Sequence, residues 1–255
     1  MALTHKTVII TGGAKGIGAA CARVFGENQA KVCILDIDAS GRELAAELGG
    51  NTIFIRCDVT VESEVEQAVA QAIGKFGDID ILVNNAGIQR YSTVTETSLE
   101  EWELVMKVNL TSAFLCAKYV LPSMQKKDSG CIVNVASVQA FISQNKVAPY
   151  TTSKTALLGL TRSIAVDYAP KIRCVAICPG TIDTPMLRNA IQLSPDPDAV
   201  FRECEDMHLT KRVGSSREVA ELIAFVSDDR AGFITGQAIR IDGGLGITIG
   251  GSKRD

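Results

Sequence analysis

No CxxC pair occurs anywhere in the chain, and its two histidines, His5 and His208, lie far apart with no metal-ligand spacing, so nothing here suggests a metal site. Nor does any stretch reach the 18 or more consecutive apolar residues expected of a membrane span. The segment Met1–Thr4 leads into a strand pattern without an apolar signal region, so a cytoplasmic protein is expected. Neither sign of charge dominates: 26 Lys and Arg face 29 Asp and Glu, for a formal net charge of -3. That balance excludes the basic field that gathers polyanions, so no nucleic acid and no membrane surface is expected as a partner. Cysteine is plentiful at eight residues, but it lies mostly in apolar runs such as Cys174-Val175-Ala176-Ile177-Cys178. Buried free thiols in a reducing compartment are therefore expected.

What is present is a repeating alternation. Short apolar runs rich in β-branched residues alternate with longer amphipathic stretches, the pattern of βαβ units feeding a parallel sheet. Strands are predicted at Thr7–Thr11, Lys31–Asp36, Thr52–Cys57, Ile79–Asn84, Gly130–Val135, Ile172–Cys178 and Ala238–Ile241. Helices are predicted near Ile17–Asn28, Ser40–Leu48, Val61–Lys75, Leu99–Met124, Pro149–Ala169 and Ser216–Asp228. Strands apolar on both faces call for helices on both sides, so the expected fold class is α/β: a three-layer, doubly wound, seven-stranded parallel sheet. A chain of this length with 46% hydrophobic residues is expected to form one domain over residues 1–255. Residues 181–212 break the rhythm with Pro185, Pro195 and Pro197, many charges and no strand pattern, and a substrate lid is expected there.

The first strand runs into Thr11-Gly12-Gly13-Ala14-Lys15-Gly16-Ile17-Gly18, and a helical pattern comes at once after it. Glycines in such a turn let the backbone approach a pyrophosphate, whose charge then rests on the helix's first amides. The bland alternative is a tight βα turn with no ligand. Asp36 closes the second strand about twenty residues on, where a carboxylate accepts from the adenosine ribose hydroxyls and repels a 2′-phosphate. Asp58 ends the third strand in the same way, and it serves equally well as a helix N-cap. Its neighbour Val59 belongs to the same expected dinucleotide surface.

The glycine spacing is GxxxGxG. With Asn84-Asn85-Ala86-Gly87 after the fourth strand and Pro179-Gly180-Thr181-Ile182 with Thr184 after the sixth, the chain resembles the short-chain dehydrogenase/reductase family along nearly its whole length. The resemblance implies a Rossmann-like fold. It also implies cofactor contacts from Gly12, Gly16, Ile17, Gly18, Asn85, Ala86, Gly87, Pro179, Gly180, Ile182 and Thr184. Lys15 stands where NADP-preferring members often carry a base, but the residues after Asp36 are Ile37 and Asp38, which offer no cation to a 2′-phosphate. NAD is therefore expected, ahead of NADP.

Tyr150 and Lys154, at i and i+4 in a predicted helix, share one face. A nearby cation favours phenolate, so the tyrosine is expected to titrate below its ordinary value of about 10. Ser137, thirteen residues before Tyr150 at a strand end, is placed to fix a substrate oxygen. The resemblance supplies the roles: Tyr150 as general acid/base, Lys154 as its modulator and a ribose ligand, Ser137 as donor to the substrate oxygen. Asn109, in Lys107-Val108-Asn109-Leu110, matches the fourth member of that set and implies a link in a proton relay behind the lysine.

The expected reaction interconverts a secondary alcohol and a ketone, or a lactol and a lactone. Candidate wall residues are Gln89, Arg90, Gln139, Gln144 and Lys146, all polar, which favours a sugar or polyol. The stretch from His208 to Gly214 also resembles that of aldose 1-dehydrogenase-like members. Two alternatives stand beside this. One is a 3-oxoacyl thioester reductase with Arg90, Arg188 or Arg212 on a phosphopantetheine carrier, and the other a dinucleotide-sensing protein without chemistry. The family implies a homotetramer or homodimer built on the two long helices and the last strand. The glycine-rich tail, Asp242 to Gly251, is expected to pack on a neighbouring subunit or to fray.

Overall fold

The computed structural model describes residues 3–247. Within them seven parallel strands stand in the order β3-β2-β1-β4-β5-β6-β9. They are β1 (Thr7–Thr11), β2 (Lys31–Asp36), β3 (Thr52–Arg56), β4 (Ile81–Asn84), β5 (Gly130–Val135), β6 (Ile172–Pro179) and β9 (Ala238–Ile241). Alternate residues of each strand feed opposite faces, as a period of two requires. Val8, Ile10, Val32 and Ile34 pack with Phe25 of α1 (Gly16–Glu27) and Ile223 of α9 (Ser216–Ser227). Ile9, Cys33 and Leu35 pack on the other face with Val69 of α3 (Glu62–Phe76) and Leu121 of α5 (Ser112–Lys127). The order reverses between β1 and β4, so the carboxyl ends of those two strands open a crevice where ligands bind in sheets of this kind. α2 (Ser40–Leu48) covers the sheet near β3, and α6 (Ala148–Tyr168) lies against β6.

Two expectations require correction. The helix predicted over Leu99–Met124 is α4 (Leu99–Met106), a π-turn at Lys107–Thr111, and then α5. Asn109 lies in that turn, with its side chain bonded to Ile88 and Ser153 of other segments; such π-bulges gather at functional sites. Taken as one helix, Leu99–Lys127 is long and apolar enough to cross a membrane, yet half of its apolar window is buried in this fold. Residues 181–212 are not strand-free: β7 (Ile182–Asp183) pairs with β8 (Gly214–Ser215), and α7 (Pro185–Ile191) and α8 (Pro197–Asp206) lie between them. Thr184 and Asp196 cap those two helices with their side chains, each preceding a proline at the start of the helix. The eight cysteines are all free thiols, and each is buried except Cys204 in α8, which is partly so. The part of the tail beyond residue 247 lies outside the described residues.

Candidate active site

The turn after β1 is clamped to the end of β4 by four hydrogen bonds. The Thr11 hydroxyl accepts from the Asn85 and Ala86 amides at 3.0 and 3.1 Å, and Asn85 Nδ2 donates to the carbonyls of Thr11 and Gly12 at 3.0 and 2.9 Å. Gly12 and Gly16 take φ of +60° and +53°, and a Cβ at Gly12 would sit 2.9 Å from Ala86 Cα. At Gly18 a Cβ would stand 2.1 Å from the Gly12 carbonyl oxygen, so this glycine acts from behind the turn and lies outside the cavity lining. α1 opens with no side chain capping its first amides and no acid in its first turn. A backbone cradle at an uncapped helix N-terminus fits a pyrophosphate, and the other half of a dinucleotide finds matching groups on β2.

There, Asp36 is held rigidly: its two carboxylate oxygens accept from the amides of Ala14 and Asp38, each at 2.9 Å. Asp58 does not cap α3, whose N-cap position is Val61 with no side-chain hydrogen bond. Asp58 lines the cavity, and its Oδ1 also accepts from the amide and hydroxyl of Thr60 at 2.9 and 2.7 Å at the approach to α3. Lys15 does not stand free; its ammonium is paired with Asp38.

One continuous cavity of about 950 Å³ runs from this end to Tyr150. Every expected cofactor residue lines it except Gly18. At its centre Tyr150 and Lys154 of α6 are both buried, and Lys154 Nζ donates to the Val135 carbonyl at 2.8 Å, 5.7 Å from the Tyr150 ring centre. Gly87 lies next to that amine: a Cβ there would make ordinary contact with Lys154 Nζ at 3.4 Å and Asn109 Oδ1 at 3.5 Å. Asn109 sits behind the lysine and outside the cavity. Its Nδ2 donates to the Ile88 carbonyl at 2.9 Å and to Ser153 Oγ at 3.0 Å, and its Oδ1 accepts from the Ile88 amide at 2.8 Å. Ser137 faces the cavity and accepts the Gln139 amide at 3.1 Å.

The electrostatics differ from the expectation drawn from sequence. Burial pushes the Tyr150 phenol up, and a hydrogen bond with Ser137 pulls only partly the other way. Burial also pushes Lys154 down, to about 8. Desolvation is the largest cause at both groups, which i,i+4 spacing alone does not reveal.

At the far end the cavity has two unlike walls. One is uncharged and carries amides: Gln139 Nε2 donates to Gln144 Oε1 at 3.3 Å, Thr151 donates to Gln139 Oε1 at 3.4 Å, and Ser143 and Gln89 stand alongside, with Val138 and Ile142 of the same segment among them. The facing wall is apolar, drawn from Met186, Leu187, Ile191, Leu193 and Met207 on and around α7 and α8. Two wall expectations fail. Arg90 is exposed outside the cavity and donates to the Gln89 carbonyl at 3.1 Å, and Lys146 is likewise exposed outside it. Sequence reasoning missed Tyr91, which lines the cavity beside Gln89. It is held by the neighbouring Ser92 amide, which donates to the Lys146 carbonyl at 2.7 Å, and the only sequence signal was its nearness to Asn84–Gly87.

A family model described as Enoyl-(Acyl carrier protein) reductase matches residues 12–246. The chain is 37% identical over 247 residues to dehydrogenase/reductase SDR family member 6 of Danio rerio, covering 95% of this chain and 98% of that one. Its structure is similar to ligand-free aldohexose dehydrogenase of Thermoplasma acidophilum, with a TM-score of 0.93 and 38% identity over 99% of this chain and 98% of the other. It is also similar to a variant of actinorhodin polyketide ketoreductase solved with NADPH, with a TM-score of 0.92 and 30% identity over 95% and 98% of the two chains. A glycine cradle at an open helix end, a buried tyrosine and lysine beside it, and these full-length likenesses lead to one assignment: the chain belongs to the short-chain dehydrogenase/reductase family, oxidoreductases that bind NAD(P) and act on CH–OH groups.

Proposed function

We propose that the protein is an NAD-dependent dehydrogenase that oxidises a neutral sugar or closely related polyol, a lactol to its lactone or a secondary alcohol to its ketone. The observation that carries this reading is the two-faced cavity beside Tyr150. A pyranose has hydroxyls around its rim and C–H groups on its faces, and amides on one wall with aliphatic side chains on the other match both. Among the described residues lining that half, Lys154 is the one cation and its ammonium is already engaged by the Val135 carbonyl beside Tyr150, so no further cation stands ready for an anionic substrate. The likeness to aldohexose dehydrogenase supports the same class.

Gly12, Gly16, the first amides of α1 and Asp36 would hold the dinucleotide, with Pro179, Gly180, Ile182 and Thr184 over its nicotinamide half. When bound, the oxidised nicotinamide supplies the hydride acceptor. Tyr150 takes the hydroxyl proton from the substrate, and Ser137 donates to the same oxygen as negative charge builds on it. Lys154 provides the positive charge that burial alone denies the phenolate, and Asn109 fixes the Ile88 backbone next to that amine.

The thioester-reductase alternative loses its carrier contacts. Arg188 is paired with both oxygens of Asp183 at 2.7 Å and stacks on Phe201 at 4.5 Å, and Arg212 grips Glu218 at 2.9 and 2.6 Å. A sensor without chemistry has no use for the convergence of Ser137, Tyr150 and Lys154 on one cavity. Lid function for residues 181–212 is supported by the apolar wall they contribute. Homodimer or homotetramer assembly is supported by Phe114 of α5 and Val166 of α6, 50% and 79% exposed, and a cytoplasmic location by the buried free thiols.

The reading is checked by initial rates of NADH formation from neutral aldoses set beside the matching uronic acids. The expected outcome is a kcat/KM at least about tenfold higher for the neutral partner, the scale set by burying an uncompensated charge. Preference for the acids would refute it.

A further inference from the structure

The pairing of Lys15 with Asp38 bears on the choice between NAD and NADP, and its meaning rests on the NAD dependence proposed for this site. Lys15 lines the dinucleotide end of the cavity next to Asp36, and a lone ammonium there would attract a 2′-phosphate. It is engaged instead by Asp38 Oδ2. The same Asp38 carboxylate accepts the Ser40 amide, the first of α2, at 2.9 Å through Oδ1. Its own amide is tied to Asp36 Oδ1 at 2.9 Å. An ammonium and a helix N-terminal amide are the two kinds of donor that a phosphate uses. Both converge on an internal carboxylate.

We infer that Asp38 is a coenzyme-selectivity residue that stands in for a 2′-phosphate and masks Lys15, so that the cation in the glycine turn gives NADP no advantage. Asp36 repels a 2′-phosphate directly. Asp38 acts differently, because it removes the attraction that the turn would otherwise provide. Preorganisation makes the mask effective although the pair is exposed. One oxygen of the carboxylate already accepts the Ser40 amide and the residue's own amide is anchored on Asp36, so most of the freedom lost on pairing is that of Lys15. Lys15 in turn holds the Asp38 carboxyl well below the ordinary carboxylate range, with the Ser40 amide adding to it, so the mask is charged at any physiological pH.

The test is titration calorimetry of the full-length protein with 5′-AMP and with adenosine 2′,5′-bisphosphate, on wild type, Asp38→Asn, and Asp38→Asn combined with Lys15→Met. Asparagine keeps the Oδ1 acceptor for the Ser40 amide, so α2 retains its start. Removing one negative charge next to a phosphate and freeing one cation is expected to shift the affinity ratio about tenfold toward the bisphosphate. Adding Lys15→Met is expected to return the ratio to its wild-type value. A ratio that moves less than about twofold in Asp38→Asn overturns the inference, as does a gain that survives loss of Lys15. Wild type favouring the bisphosphate is the separate signature of a failed NAD reading, and it removes the mask with it. A wild type favouring 5′-AMP with an unmoved variant refutes the mask alone.

Discussion

At Lys154, function and stability pull against each other. Burial lowers its folded pKa from 10.5 to about 8, so between those values the unfolded chain binds more protons than the native one. Stability then rises with pH across that window, and below about pH 8 the native state bears the whole cost of a buried charge. The shift corresponds to about 3 kcal/mol, and loss of the hydrogen bond to Val135, which methionine cannot make, takes back about 1–2 of that on substitution. Lys154→Met is therefore expected to abolish turnover yet unfold about 1–2 kcal/mol later in urea at pH 7, an advantage that disappears by pH 10. Equal stability of the two proteins at pH 7 would show that the ammonium is better solvated than its burial implies. The pairing of Tyr150 and Lys154 was legible from their spacing, but the direction of their titrations was not. Spacing reports which side chains are neighbours, and desolvation depends on everything packed around them.

The elements were legible where pattern and packing agree. β1, β2 and α2 stand at their predicted limits because each apolar run there is bounded by turn residues and both strand faces are covered by helices. The π-turn was not legible, since its helical periodicity is interrupted by a single polar residue whose partners, Ile88 and Ser153, are distant in sequence. α7 and α8 were hidden by prolines and charges that read as a breaker, although both prolines begin helices. Asn109 is a positioning residue on this account. Asn109→Ala strips partners from both backbone groups of Ile88, and a loss of about 2–4 kcal/mol in urea unfolding is expected. Turnover is expected to fall with it: kcat should drop at least about tenfold with KM for the substrate changed far less, because the residue supports Lys154 and does not touch the cavity. A rise in KM alone would place Asn109 in substrate binding instead.

Across the whole molecule, chain reversal between β1 and β4 brings residues from Gly12 to Leu245 onto one cavity. The cofactor half of that cavity was readable because its turn chemistry is local: glycines, an acid at a strand end, amides at a helix start. The substrate half was read only in part. Its polar wall is contiguous around Gln139 and Gln144, whereas its apolar wall is assembled by a segment that no strand or helix pattern announced. The central claim is that Tyr150 drives dehydrogenation of a neutral sugar with NAD. The most direct measurement is NADH appearance on mixing the protein with NAD and each member of an aldose and polyol panel, with Tyr150→Phe run alongside. The account predicts a rate on at least one neutral sugar that falls by about a thousandfold or more in the phenylalanine variant, the scale of a lost general base and its oxygen contact. A rate that survives the substitution, or a panel silent with NAD while β-ketoacyl thioesters are reduced, would contradict it.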